Sequence, residues 1–246
     1  MKRNPVDLTR REVLAVIAGA TAAVAAHPTR GGTIIEERGD SPRAYLGGHE
    51  PRPLAFDPGK LRGLSEKLLR SHHENNYTGA VKRLNLIEQE IGQLPKDAPP
   101  YRMGALKREE LIARGSMVLH ELYFGNLGGD GKLNGTVSKL IAAAYGSVSR
   151  WEDDFRLTSL SLAGGSGWVV LAYDPHQQAV HNYWSWDHAH AAADATSLLV
   201  MDMYEHAYAI DYGANARGYI DAFFQNIQWD EVNRRVEAAQ ARRATT

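Results

Sequence analysis

The feature that most restricts the fold is a change of hydrophobic period part-way along the chain. Leu61, Leu64, Leu68 and His72 step by three or four residues, the repeat of one helix face, and Ser65 stands where a helix cap belongs. A second helix is expected over about 81–94, stopped near Gly92 and Pro95. A third is expected over about 107–124, where Ile112, Ser116, His120 and Phe124 form a four-residue ladder. Helical spacing resumes from Thr136 to about Phe155. The pattern then becomes that of strands: Trp168-Val169-Val170-Leu171-Ala172-Tyr173, a turn at Asp174-Pro175-His176, a return strand over 179–184, and Leu198-Leu199-Val200-Met201 running into Asp202. Two helices, near 216–228 and 230–241, close the chain. Helices first and a small antiparallel sheet later define an α+β protein, not an alternating α/β one.

Composition narrows the chemistry. The 246 residues contain no cysteine, which excludes disulfides, thiolate metal ligands and a cysteine nucleophile. Any metal must sit on histidine and carboxylate, and ten histidines are available. A formal net charge of -1 points away from nucleic acid and from a polybasic membrane foot. At the N-terminus, Arg10-Arg11 precedes Val13-Leu14 and a mildly apolar run that ends in small residues at Ala26. This resembles a twin-arginine signal, so residues 1–26 are expected to be removed on export to the periplasm or the cell exterior. The run is too short and too weakly apolar to span a bilayer, and the mature chain is expected to have no membrane segment. Residues 27–52, rich in Gly, Pro, Arg and Glu without a period, are expected to form a flexible arm. The glycine-rich stretch from Gly125 to Gly135 lacks the Lys-Ser/Thr ending of a phosphate loop and follows a helix, so it is expected to be a connection.

The sharpest chemical feature is Asp202-Met203-Tyr204-Glu205-His206, a carboxylate and an imidazole four residues apart at the end of an apolar strand. A charged Asp there needs a partner, and a cation shared with His supplies one. A buried Asp–His hydrogen bond satisfies the same pair, so the motif alone leaves both readings open.

Several further segments carry a resemblance: Pro53-Leu54-Ala55-Phe56-Asp57, Gly63-Leu64-Ser65-Glu66-Lys67, Val81-Lys82-Arg83-Leu84-Asn85, Gly165-Ser166-Gly167-Trp168, Tyr173-Asp174-Pro175, Glu205-His206-Ala207-Tyr208 and Trp229-Asp230-Glu231-Val232. In this order and spacing they resemble the iron/manganese superoxide dismutases, over roughly residues 53–232. The resemblance implies an N-terminal helical hairpin domain (53–130) and a C-terminal α+β domain (131–246) with its small antiparallel sheet. It implies four metal ligands, His72, His120, Asp202 and His206, around one Fe or Mn ion per subunit, with solvent as a fifth ligand. It further implies superoxide as substrate, dismuted to dioxygen and hydrogen peroxide, and a homodimer in which Glu205 reaches the partner's metal-bound histidine, His206.

The family's solvent partner is a Gln at one of two places. Here those places hold Ser116, too short to reach, and His188; some branches of the family carry a His at the second place, so the resemblance makes His188 the candidate, the other reading being a surface-loop histidine near His181 and His190. The mouth of the site departs from the family pattern at Asn76, Ala80 and Ala209, which replace a His and two Tyr, and around the centre at Phe124, Tyr204 and Val170, which replace Trp. Asn76 and Tyr77 are the side chains left to refill the mouth. The alternative reading is an exported Fe/Mn-binding protein on the same fold with weak or lost dismutase activity. A zinc hydrolase is less well supported, because nothing resembles a general base beside a substrate pocket.

Overall fold

The computed structural model describes residues 42–243. The expected signal peptide and most of the expected arm therefore lie outside the described residues. Helix α1 (Glu66–Ser71) begins at Ser65, whose hydroxyl accepts the Leu68 amide at 3.0 Å. It does not end at His72. A π-helical turn over His72–Tyr77 carries the chain straight into α2 (Thr78–Gly92). Sequence periodicity suggests two helices because the wider turn breaks the three-to-four step. No proline interrupts the backbone there, and the Thr78 hydroxyl donates to the His73 carbonyl five residues back.

Helix α3 (Pro100–Gly125) starts seven residues earlier than its apolar ladder suggests, with Pro100 at its first position. It returns antiparallel to α1–α2, as the pairings Tyr77 with Glu121, Arg83 with Glu109 and Arg102 with Glu90 show. This is the expected helical hairpin. The single helical stretch expected over 136–155 is two helices, α4 (Gly135–Tyr145) and α5 (Val148–Leu160). Gly146 separates them in a left-handed conformation that glycine adopts without a Cβ clash.

The sheet has strands β1 (Trp168–Asp174), β2 (Ala179–Ser185) and β3 (Thr196–Asp202) in the order β2-β1-β3, all neighbours antiparallel. Central β1 is buried from Trp168 to Tyr173, which explains its unbroken apolar run. Trp168 lies opposite both Ser185 and Asp202, so the end of β3 and the loop after β2 meet at one end of the sheet. A short α6 (Ala209–Tyr212), then α7 (Ala216–Gln225) and α8 (Trp229–Arg243), complete the chain.

Helices α3 and α8 cover β3, and two buried side chains stitch them to its outer edge. Asn126, just past α3, accepts the Val200 amide at 2.9 Å and donates to the Val200 carbonyl at 3.2 Å. Arg235 of α8 donates to the carbonyls of Leu198 and Leu122. The exposed edge is thereby closed to other strands. Residues 126–131 bond to 226–228, confirming the glycine-rich stretch as a connection. Segments 53–130 and 131–246 contribute to one continuous buried cluster.

The arm is a correction from residue 42 onward. Gly47 and His49 donate their amides to Glu88 and Asn85, Asn85 donates back to the His49 carbonyl at 2.9 Å, and the His49 ring pairs with Glu88 at 2.9 Å. Polar groups of α2 hold this strap. Hydrophobic period gives no warning of a segment fixed through its backbone. Among the described residues no helix is long and apolar enough to cross a membrane.

Candidate metal centre

Four elements deliver one side chain each to a single point. His72 opens the π-turn, His120 lies near the end of α3, Asp202 is the last residue of β3, and His206 sits on a short 3-10 turn over Glu205–Ala207. The turn follows from Asp202 itself: its Oδ1 accepts the Tyr204 amide at 2.9 Å, folding the chain back so that His206 faces the other carboxylate oxygen. Behind it, the Tyr219 hydroxyl donates to the Asp202 carbonyl at 2.7 Å, fixing the strand end.

The donor atoms of the four residues all lie within 4.8 Å of one another. Asp202 Oδ2 is 3.1 Å from His72 Nε2, 3.2 Å from His206 Nε2 and 3.6 Å from His120 Nε2. Donors about 2.1 Å from one ion stand about 3.0 Å apart at a right angle and about 3.6 Å apart at 120°. The observed separations match that spacing. The tautomer of His120 fits as well: Nδ1 bonds the Ser116 carbonyl at 2.7 Å, leaving buried Nε2 without a hydrogen-bond partner and with its lone pair turned to the cluster. Three imidazoles and one carboxylate make an N/O donor set suited to a first-row transition ion. One Fe or Mn ion fits these residues.

Electrostatics favour the same state. His72, His120 and Asp202 are all essentially buried, and Asp202 is inaccessible. Burial pushes the His72 imidazole below its ordinary pKa, and burial together with neighbouring His72 pushes His120 down to about 3, so both stay neutral and ligating. Burial alone would raise Asp202, but hydrogen bonds from His206 and His72 outweigh it and hold the carboxyl well below its usual range. A buried anion beside the neutral rings of His72 and His120 is costly unless a cation shares the site.

Aromatic rings enclose the cluster. Phe124 meets His72 at 5.0 Å between centroids, Trp168 stands edge-on to His120 at 5.1 Å, and Tyr204 stacks on His206 at 5.2 Å. Burial, then the Asp202 charge, raises the Tyr204 phenol to about 12.

The remaining expected residues are placed differently from one another. The His188 ring lies 6.2 Å from that of His120, stacks on Tyr204 at 4.7 Å and accepts the Trp168 indole N–H on Nδ1 at 3.0 Å. Trp168 as this partner is not marked by sequence pattern, where it reads as a core residue of a buried strand. Asn76 is half-buried on the π-turn, and its amide makes no hydrogen bond among the described residues. Tyr77 is buried, with its ring 6.4 Å from His120, but its hydroxyl is committed elsewhere: it donates to Glu121 at 3.0 Å and accepts the Arg52 amide at 2.8 Å. The structure thus brings His188 beside the cluster and commits the Tyr77 hydroxyl to Arg52 and Glu121. Glu205 is exposed next to partly exposed His206.

Comparison with known proteins agrees with this geometry. Residues 133–235 match the family model of the iron/manganese superoxide dismutases, C-terminal domain. A "Superoxide dismutase [Fe]" of Cupriavidus metallidurans is 50% identical over 192 residues, covering 78% of this chain and 98% of the relative. One of the same name from Aquifex aeolicus is 32% identical over 206 residues, 79% and 94% of the two chains. "Superoxide dismutase [Mn] 1" of Halobacterium salinarum is 30% identical over 200 residues, 79% and 98%. With four donors converging on one point and this similarity running nearly the full length of its relatives, the chain belongs to the iron/manganese superoxide dismutase family.

Proposed function

We propose that this protein removes superoxide with one Fe or Mn ion held by His72, His120, Asp202 and His206. The carrying observation is the set of donor atoms within 4.8 Å, with the buried His120 Nε2 free of any other partner. When bound, the ion would supply reversible one-electron chemistry for the conversion of two superoxide anions and two protons to dioxygen and hydrogen peroxide. The chain's own residues do the rest. His72 and His120 remain neutral through burial, Asp202 supplies the one negative charge, and aromatic rings pack against the ligand rings.

His188 is the side chain we assign to the solvent that completes the site. Its Nδ1 accepts from Trp168, so the neutral ring carries its proton on Nε2 and acts there as a donor. Asn76, whose side-chain amide makes no hydrogen bond among the described residues, serves the mouth. Tyr77 contributes through position, its hydroxyl tying the π-turn to Glu121 and Arg52.

The ligand set is tested by substitution. His72→Ala and Asp202→Ala should each lose stoichiometric Fe or Mn and melt at lower temperature than the loaded parent, because metal binding is coupled to folding. Elemental analysis finding one tightly held ion in either variant would show the ligands to be misassigned.

Export through the twin-arginine route and assembly as a homodimer belong to the same proposal. The arginine pair and apolar run support the first, and exposed Glu205 beside His206 supports the second. Both are tested by fractionating cells and sedimenting the recovered protein. Arg10-Arg11 replaced by Lys-Lys should be missing from the exported fraction, whereas Glu205→Ala should be exported yet sediment as a lighter species than the parent. Normal export of the first, or an unchanged sedimentation coefficient for the second, would remove the corresponding half.

A further inference from the structure

Gly115 lies inside α3, five residues before His120. Its backbone is helical, with none of the positive φ that favours glycine, so conformational freedom does not explain its presence. Close approach does. A Cβ added at Gly115 would stand 1.8 Å from the His188 carbonyl oxygen and 2.9 Å from its carbonyl carbon. Gly104, in the same helix, would meet nothing within 4 Å. Alanine is the better helix former at both positions, yet only at Gly115 does a neighbour's main chain occupy the space a methyl would need.

The neighbour is the residue assigned above to the solvent position. Three contacts seat it: the bare backbone of Gly115 beneath its main chain, the Trp168 indole N–H on Nδ1, and the Tyr204 ring stacked at 4.7 Å and 6°. The loop is braced on either side, the Ser185 hydroxyl donating to the Asp187 carbonyl and the Ala189 amide to the Asp187 carboxylate. Neither of those braces sets how far the loop stands from α3. The contact at Gly115 does.

We propose that Gly115 is a positioning residue for the metal centre: its missing side chain lets the main chain of His188 lie directly on α3 and so places the His188 ring at the outer edge of the site. A methyl there pushes the loop outward by more than about 1 Å to restore an ordinary contact. All four ligands stay in place, while the hydrogen bond that His188 makes beside the ion is lost or lengthened. This inference rests on the assignment of His188 made under the proposed function.

The test compares iron-loaded Gly115→Ala, Gly104→Ala, His188→Ala and the Gly115→Ala/His188→Ala double variant by iron content, iron(III) absorption spectrum and midpoint potential. Gly104→Ala should match the parent in all three. Gly115→Ala should keep one iron per chain but shift spectrum and potential in the direction of His188→Ala, and the double variant should shift no further than His188→Ala alone. A folded, loaded Gly115→Ala with parental spectrum and potential, while His188→Ala is altered, overturns the seat and leaves the His188 assignment standing. Parental values for His188→Ala overturn that assignment and the inference with it. Additive shifts in the double variant show that Gly115 does not act through His188. Loss of iron or of the fold in Gly115→Ala shows that the glycine serves the helix packing as a whole, and this too contradicts the proposal.

Discussion

At the scale of single residues, the site combines a complete ligand set with an altered supply of protons. Ala80 has no proton to give, Asn76 offers a weakly acidic amide, and the Tyr77 hydroxyl donates to Glu121 instead of facing the cluster. Burial also keeps the His188 ring below its ordinary pKa, hence neutral at physiological pH. The half-reaction that yields peroxide delivers two protons to its product, whereas the one that yields dioxygen delivers none to its product. Peroxide formation should therefore be the slower half and carry the larger solvent isotope effect. Pre-steady-state kinetics in light and heavy water would check this, and equal isotope effects on both halves would point to an unhindered proton route. At this scale the Asp202–His206 motif and the helix-stripe positions of His72 and His120 were legible in the residues, but only the family resemblance joined the four into one ligand set, whose donors the structure brings within 4.8 Å. Gly115 and Trp168 were not legible, because each acts through a residue distant in sequence, and neither helical nor strand period registers such a contact.

Among the elements, period and capping located the three strands and the longer helices, but they missed the short α6 and misjudged how helices join. The π-turn at His72–Tyr77 merges two expected helices, while Gly146 divides one expected helix into two. Both differences arise from local backbone geometry to which the spacing of apolar residues is blind. The packed strap from residue 42 was missed for a related reason, its anchors being the polar groups of Asn85 and Glu88.

Helix α8 provides a test of how elements are held. Glu231 accepts bonds from Arg234 and from largely buried Arg235, the residue that clamps the edge of β3. Partial burial would raise its pKa, but the two arginines prevail and lower it from the ordinary 4.5. A carboxylate with a depressed folded pKa contributes stability that is present above its unfolded pKa and lost as pH falls through the folded value. Glu231→Gln should therefore melt below the parent at neutral pH, with the gap closing as pH drops below about 4.5. Thermal melts of the two metal-free proteins across that window measure it, and a gap independent of pH would show the ion pairs to be without net effect.

For the whole molecule, the helical hairpin supplies His72 and His120 while the sheet and the turn after it supply Asp202 and His206, so the site exists only when both parts pack together. The shared buried cluster and the stitches from Asn126 and Arg235 keep that packing rigid. Rigid donors matter because the same ligand set must serve two oxidation states without rearrangement. The changed mouth leaves this frame intact, which separates metal binding from turnover as properties that can be lost independently. The most direct measurement is the number of superoxide anions removed per bound ion, followed by stopped-flow absorbance on protein of known iron or manganese content. Many superoxide anions should disappear for each ion, with none beyond spontaneous decay once the metal is removed. Removal of no more than one superoxide per ion by protein carrying a full complement of metal would contradict catalysis and leave a metal-binding protein on a dismutase fold.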